Sequence, residues 1–422
     1  MKILQIFTKS RTESSRQRNS RPFRPLIDGG RLEERTVPTV SSIEIPLELV
    51  NIRTEKNPEY KLGIYIGLGG GAPKLYEFDT GGKGFWAAYS TKNPYNQWWG
   101  DFTTKESQTL SNTYSSGNSY VADLVSTAIT FYKPGVNGRA PTSVFTTGNV
   151  DIAQITKYNN SKSPSTVKAW DNAMKSGTPP LFGKFYGDFG AALAPVASSQ
   201  GTNIYSVLPQ IQVPGLDVGF TVHVGKIDGK TAPSLFIGVS DSPPQGTSLL
   251  PMNLNTGTAS GQQVNFPGTG VPTYSEQVAN ANFEIRDVKT GISQKFSNIG
   301  WTLDTGAPTA TIWQSQTPKS GVNVKPGFFK SGSSTRLRDN LHFKVLAQPK
   351  ATSQTIFEVS ARTGKPLPKI PLSAGRHGTS GQSAIGWNYV NTGFWTFTQY
   401  DVSFNLSKGT VGFSSVDTNL QG

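Results

Sequence analysis

The chain has 422 residues, with 40 Lys and Arg against 27 Asp and Glu, a net charge of +13, three histidines and no cysteine. Its 45 glycines and 28 prolines, with only 16% charged residues, describe short strands joined by many turns and exclude an all-helical or coiled-coil architecture. The lack of cysteine excludes disulfides, thiolate zinc sites, iron–sulfur clusters and thiol nucleophiles, so chemistry must come from hydroxyls, carboxylates, a few imidazoles or oxygen-bound metals.

The first 36 residues hold nine Lys and Arg against four Asp and Glu, with almost no apolar periodicity, and residues 1–42 read as a basic flexible arm. The rest of the chain is only mildly basic and has no dense cationic stripe, so no nucleic-acid partner is expected. The start, Met1 to Phe7, is shorter than an ordinary signal core, and no run approaches the roughly 18 apolar residues of a membrane span. Within the arm, Arg21 to Pro38 carries Leu32-Glu-Glu-Arg35 and Val37-Pro38, and resembles an element near the N-termini of many planctomycete surface and exported proteins. That resemblance implies a place outside the cell or in its envelope.

Beyond Pro38, alternating or apolar runs bounded by Gly, Pro, Asn and Ser predict strands at Ile43–Val50, Tyr60–Gly67, Lys74–Phe78, Ser119–Phe131, Gly219–Val224, Ser234–Val239 and Tyr400–Phe404. Two short helices are predicted, at Ser165–Met174 and Asn203–Gln210. The Pro- and Gly-bearing stretch Gln210 to Asp217 divides the body into residues 43–214 and 215–422.

Those two halves repeat a signal. Tyr76-Glu-Phe-Asp79-Thr80-Gly81 ends a strand and reaches Trp86 soon after; Gly300-Trp-Thr-Leu-Asp304-Thr305-Gly306 does the same and reaches Trp313. Composition alone supplies two Asp-Thr-Gly tripeptides in about one such chain in a hundred. One Asp-Thr-Gly reads as a hairpin turn closed by the aspartate side chain. Two in matching positions point to a two-fold arrangement that brings both carboxyls to one water. Carboxyls that close cannot both ionise, so they share a proton and titrate as a unit. One can then deprotonate an attacking water while the other donates to a carbonyl oxygen. This dyad is itself a standard example of such tuning.

With those residues in view, the sequence resembles the pepsin-like aspartic proteases over roughly residues 47 to 415, in the family's order. Tyr60 to Gly81 resembles the first active-site region, Asn112-Thr-Tyr114-Ser-Ser116-Gly117 the flap hairpin, and Tyr186-Gly-Asp-Phe-Gly190 the segment behind the first catalytic loop. Phe220 to Asp241 is similar to the opening of the second lobe, and Asn391 to Phe413 to the closing segment, with Gly393 at its glycine loop. The resemblance implies an all-β, bilobal fold in which two pseudo-two-fold-related lobes flank a cleft. It implies Asp79 and Asp304 as the catalytic pair, with Thr80 and Thr305 bonding across the interface and Gly81 and Gly306 presenting N–H groups to the carboxylates. Trp86 takes the place of a tryptophan whose indole bonds to the flap tyrosine, Tyr114 closes over substrate, and Ser116 and Gly117 complete the flap. It further implies a peptide or protein substrate, no metal or other cofactor, and a monomer that builds its whole site.

The sequence departs from that pattern after each turn, where the family carries Ser or Thr and this chain has Gly82 and Ala307; retroviral relatives carry Ala there. Loss of both hydroxyls should raise the pair's pKa and shift activity toward less acidic pH. Ser115 is a further departure in the flap. The basic arm reads either as a zymogen-like prosegment, with Arg31 or Arg35 near the dyad, or as a solvated tail. Two rival readings stay open: a catalytically inactive pepsin-fold surface protein that binds peptide or glycan, and an adhesin in which Asp79 and Asp304 lie far apart.

Other signals are set aside. Gly67-Leu-Gly69-Gly-Gly-Ala72 matches a dinucleotide fingerprint, but Pro73 and another strand follow it instead of a helix. His223, His342 and His377 are isolated in sequence, without zinc-site spacing, and no Gly-x-Ser-x-Gly elbow occurs.

Overall fold

The computed structural model describes residues 41–416, except 57, 91–97, 115, 136–139, 226–231, 256–262, 315–323, 332–336, 339–340, 347–354, 361–371 and 377–388, and except the side chains of 314, 355–360 and 372–376. Residues 1–40 of the arm, with Arg31 and Arg35, and also Ser115 and His377, lie outside the described residues. Within the described residues no helix is long and apolar enough to cross a membrane.

The first half contributes β1 (Ile43–Asn51), β2 (Tyr60–Leu68), β3 (Lys74–Asp79), β4 (Phe85–Ala88), β5 (Thr103–Thr113), β6 (Asn118–Lys133), β7 (Thr142–Asn160), helix α1 (Pro164–Ser176), β8 (Gly187–Gly190), β9 (Val196–Ala197) and β10 (Asn203–Ile204). The second contributes β11 (Asp217–His223), β12 (Ser234–Val239), β13 (Ser248–Pro251), β14 (Ala279–Asp287), β15 (Ser293–Thr302), β16 (Ala310–Gln314), β17 (Leu341–Leu346), β18 (Thr355–Ser360), β19 (Leu372–Arg376), β20 (Tyr389–Asn391), β21 (Tyr400–Asn405) and β22 (Thr410–Ser415). The architecture is all-β apart from α1 and three short 3₁₀ turns among the described residues.

Two ladders repeat each other. In one, β2, β3, β8, β4 and β7 are neighbours in that order; in the other, β14, β15, β20, β16 and β19. The pairings agree in direction too: β3–β8 and β15–β20 are parallel, and β4–β8 and β16–β20 antiparallel. The halves are not separate sheets, because β1 pairs with β2 on one side and β12 on the other, and β12 continues through β11 and β21 to β22. The second ladder lies in its own seven-stranded sheet, and β22 packs against it where Phe413 stacks on Trp301 of β15 with ring centroids 4.9 Å apart.

Alternation builds the core. Along β14 the residues Ala279, Ala281, Phe283, Ile285 and Asp287 face inward, and Asp287 is tolerated because its carboxylate accepts from the N–H groups of Lys289 and Thr290 in the turn that follows. Pro164 opens α1, where its missing N–H costs nothing, and Gly177 closes it at φ 69°. Trp170 of α1 stacks on Tyr158 at 4.5 Å. The second predicted helix does not form. Asn203–Ile204 pairs with β9, and Pro209, which has no N–H to donate, sits in a single 3₁₀ turn, Leu208–Gln210. The Gly67–Ala72 segment is the β2–β3 connection, with φ 58° at Gly69 and φ 83° at Gly70, and no helix follows.

His223 is not isolated. It sits on β11 beside β21, where its Nδ1 meets Asp401 Oδ1 at 2.5 Å, and this hydrogen bond raises the imidazole pKa against the opposing effect of burial. A raised folded-state pKa adds stability that is fully present below the unfolded value of about 6.5 and is lost as pH rises through the folded value. His223→Gln is therefore expected to lower stability by roughly 1 to 2 kcal/mol at pH 5. Urea unfolding of both proteins should show that gap shrinking as pH rises past the raised imidazole pKa; a gap that does not change with pH would refute the pairing.

Candidate active site

Each Asp-Thr-Gly forms a turn at the end of an inner strand, closed by its own aspartate. In the first, Gly81 N–H donates to Asp79 Oδ1 at 2.7 Å. In the second the donor to Asp304 Oδ1, at 2.9 Å, is the N–H of Ala307 instead of Gly306. The threonines interlock the two turns. Thr80 N–H donates to Thr305 Oγ1 and Thr305 N–H to Thr80 Oγ1, both at 3.0 Å, while Thr80 Oγ1 donates to Leu303 O at 2.8 Å and Thr305 Oγ1 to Phe78 O at 2.7 Å. Both threonines are buried.

This interlock presses each turn glycine against the opposite aspartate. A Cβ on Gly81 would lie 2.4 Å from Asp304 Cγ, and one on Gly306 would lie 2.3 Å from Asp79 Cγ. No side chain fits at either position. The interlock therefore sets each aspartate against the partner's turn, which removes the reading in which the two tripeptides lie far apart. Burial, and then the charge of Asp79, lift the Asp304 pKa well above the usual carboxylate range.

Two supports come from outside the motifs. Asn391, at the end of β20, donates from Nδ2 to Asp304 Oδ2 at 2.6 Å, on the carboxyl that lacks a hydroxyl from Ala307. Its Oδ1 accepts from Gly393 N–H at 2.8 Å, which fixes the amide's orientation. Lys61 of β2 pairs with buried Glu77 and donates to Gly306 O at 2.5 Å, tying the first ladder to the second turn. Burial works to lower the Lys61 pKa, but Glu77, Asp79 and Asp304 outweigh it and hold the ammonium above its ordinary range.

β5 and β6 form a hairpin whose tip carries Tyr114, exposed Ser116 and Gly117, with Gly117 at φ 94° and its N–H on Tyr114 O at 2.9 Å. Tyr114 does not bond to Trp86. The Trp86 indole donates to Lys83 O at 2.8 Å, and the Tyr114 hydroxyl donates instead to Asp188 Oδ2 at 2.6 Å. Trp86 reaches the flap through Tyr120, which stacks on it at 5.9 Å and meets Tyr114 edge-on at 5.7 Å. The expected indole–hydroxyl bond is missing because the Trp86 N–H is taken by the Lys83 carbonyl.

No family model and no curated protein matches the chain. Among solved structures it is similar to an aspartic proteinase from Irpex lacteus, with 12% identity and a TM-score of 0.46 over 90% of this chain and 98% of that one. It is also similar to basic 7S globulin from soybean, with 11% identity and a TM-score of 0.45 over 89% of this chain and 98% of that one. At these values the chemistry has to be argued from the residues themselves.

Thr305→Val keeps the shape of the side chain and removes a hydroxyl that makes two buried hydrogen bonds. The expected loss is about 2 to 4 kcal/mol, because Thr80 N–H and Phe78 O both lose a partner. Chemical denaturation of the variant measures it, and a loss below about 0.5 kcal/mol, the floor for one ordinary hydrogen bond, would show that the interlock is not a main support.

Proposed function

We propose that the protein is an aspartic endopeptidase. The observation that carries this reading is the interlock of two Asp-Thr-Gly turns, which sets the carboxyls of Asp79 and Asp304 each against the glycine of the opposite turn. The pair shares one proton. The ionised oxygen takes a proton from water as the water oxygen bonds to the scissile carbonyl carbon, and the carboxylic acid donates its proton to the carbonyl oxygen. The resulting diol collapses as its carbon–nitrogen bond breaks and the nitrogen is protonated, which leaves a carboxylic acid and an amine and returns the pair to its starting state. Tyr114 covers the site from the flap and limits access of bulk water.

On this reading the substrate is a peptide or protein, water is the nucleophile, no cofactor takes part, and one chain builds the whole site. The arm, residues 1–42, serves as a solvated or targeting tail or as a prosegment, which arm deletion tells apart, and the protein works outside the cell or in its envelope. The amide of Asn391 takes the place of the hydroxyl missing at Ala307, which favours turnover over the inactive binding scaffold.

The test is hydrolysis of denatured casein by the full-length and arm-deleted chains from pH 3 to pH 7, with and without pepstatin. Asp79→Asn and Asp304→Asn should each lower the rate by at least about 100-fold. Arm deletion should raise activity if the arm covers the cleft. Failure of the folded wild type to cleave at any pH would leave the binding module as the better reading. The raised Asp304 pKa sets the pH dependence: the proton needed at the carbonyl oxygen is kept to higher pH than an ordinary carboxyl would keep it. The alkaline limb of the rate profile should therefore extend toward neutrality, and a maximum below about pH 3 would contradict this.

A further inference from the structure

The repeated ladders give Asn391 a counterpart. On the parallel pairing of β15 with β20, Asn391 stands opposite Thr302, two residues before Asp304; on that of β3 with β8, Asp188 stands opposite Glu77, two residues before Asp79. On their other sides, Asn391 pairs with Thr311 of β16 and Asp188 with Trp86 of β4, each seven residues beyond its catalytic aspartate. The glycines two places on agree as well. A Cβ on Gly393 would lie 2.4 Å from Ala307 O, and one on Gly190 would lie 2.5 Å from Gly82 O, so each glycine packs on the residue that follows an Asp-Thr-Gly. Asp188-Phe-Gly190 and Asn391-Thr-Gly393 are thus the same structural position in the two ladders.

Asp188 also lies beside the first catalytic carboxyl. A Cβ placed on Gly82 would lie 2.9 Å from Asp79 Oδ2 and 3.1 Å from Asp188 Oδ2, so the two oxygens border the same volume, the one a side chain would fill. Asp188 is 3% exposed; its Oδ2 accepts from Tyr114, and its Oδ1 is buried with no hydrogen-bond partner. An ionised carboxylate in that place would have one donor and two acids, Asp79 and Glu77, beside it, a costly arrangement that a bound proton relieves. Burial first, then Asp79 and Glu77, push its pKa well above the usual range, against the opposing influence of Tyr114 and Lys61; Tyr120 is the remaining titratable neighbour.

We propose that Asp188 is a positioning residue of the active site, a protonated carboxyl that donates toward Asp79, directly or through one water, as the Asn391 amide donates to Asp304. The proposal rests on the protease reading for its role in turnover. The carboxyl takes the place of the hydroxyl missing at Gly82 and carries a second link, because the oxygen beside Asp79 also receives the flap hydroxyl. Flap position and support of Asp79 thereby pass through one side chain.

The sign of the pH effect follows. As pH rises through its raised pKa, Asp188 ionises, loses its donor and places a second negative charge beside Asp79, so activity falls. Asp188→Asn supplies the donor without titrating. It is expected to keep kcat within about three-fold at the wild-type optimum and to extend the alkaline limb upward. Asp188→Leu should lower kcat at least about ten-fold with KM little changed and the fold retained by circular dichroism. A leucine variant with wild-type kcat and pH profile would overturn the proposal, as would an asparagine variant no better than the leucine one. Carbon-13 NMR of aspartate carboxyls gives a reading independent of turnover. A resonance lost in Asp188→Asn should titrate well above the ordinary carboxylate range in the wild type and move down in Asp79→Asn. Titration in the ordinary range would overturn the proposal whether or not the chain cleaves peptides, whereas a wild type without activity but with the raised resonance would refute only the protease reading.

Discussion

Two carboxyls placed side by side repel each other once both ionise, so their own chemistry cannot hold them together. Four hydrogen bonds from two threonines do so. Thr80 and Thr305 are 225 positions apart, yet each hydroxyl accepts from the other's N–H and donates to a carbonyl at the end of the opposite strand. Every donor and acceptor in this set is neutral and buried, so the clamp does not weaken with pH or salt. The glycine requirement, the contact between the aspartates and the closeness of both ladders follow from it. A side chain at Gly81 or Gly306 would push an aspartate away before any chemistry began.

Around that clamp the protein concentrates acid. Glu77, Asp79 and Asp188 are buried, and Asp304 lies against Asp79, with Lys61 as the cation paired to Glu77. A buried ion pair contributes little net stability, since desolvation offsets attraction. Its value here is positional. Lys61 spends one donor on Glu77 and another on Gly306 O, so the charge that makes Glu77 tolerable also ties β2 to the second catalytic turn. The burial that raises Asp304 lets its carboxyl keep a proton to higher pH than an ordinary carboxyl would.

Local chemistry was legible in the sequence, and long-range pairing was not. Strands with apolar alternation, such as Tyr60–Leu68 and Ser234–Val239, and a helix framed by Pro164 and Gly177, declare themselves within a dozen residues. The Asp-Thr-Gly repeat declares itself because its glycines are dictated by contact with the partner turn. The 19-residue strand Thr142–Asn160 escaped notice because much of it is exposed and rich in Thr and Asn, so no period stands out. His223 read as isolated because Asp401 is 178 positions away and meets it only through the pairing of β11 with β21. Asn391 and Asp188 carry no such signal either, since each becomes a neighbour of an Asp-Thr-Gly aspartate only through a parallel strand register. Resemblance places the indole of Trp86 on the flap tyrosine, but the carbonyl of Lys83, three residues earlier in the chain, accepts its N–H instead.

The two ladders differ at one repeated position, Asn391 in one and Asp188 in the other. Their register puts a polar side chain behind each catalytic aspartate, and both lack the hydroxyl that would otherwise stand after the glycine. An amide donates at every pH. A carboxyl donates only while protonated, and becomes a competing charge when it is not. Support for Asp304 is therefore constant, and support for Asp79 is conditional on the same acidity that keeps a proton on the pair. From the flap, Tyr114 reaches this network on the conditional side. A site built by repetition thus acquires its asymmetry from a single exchange, amide for acid, at one repeated position.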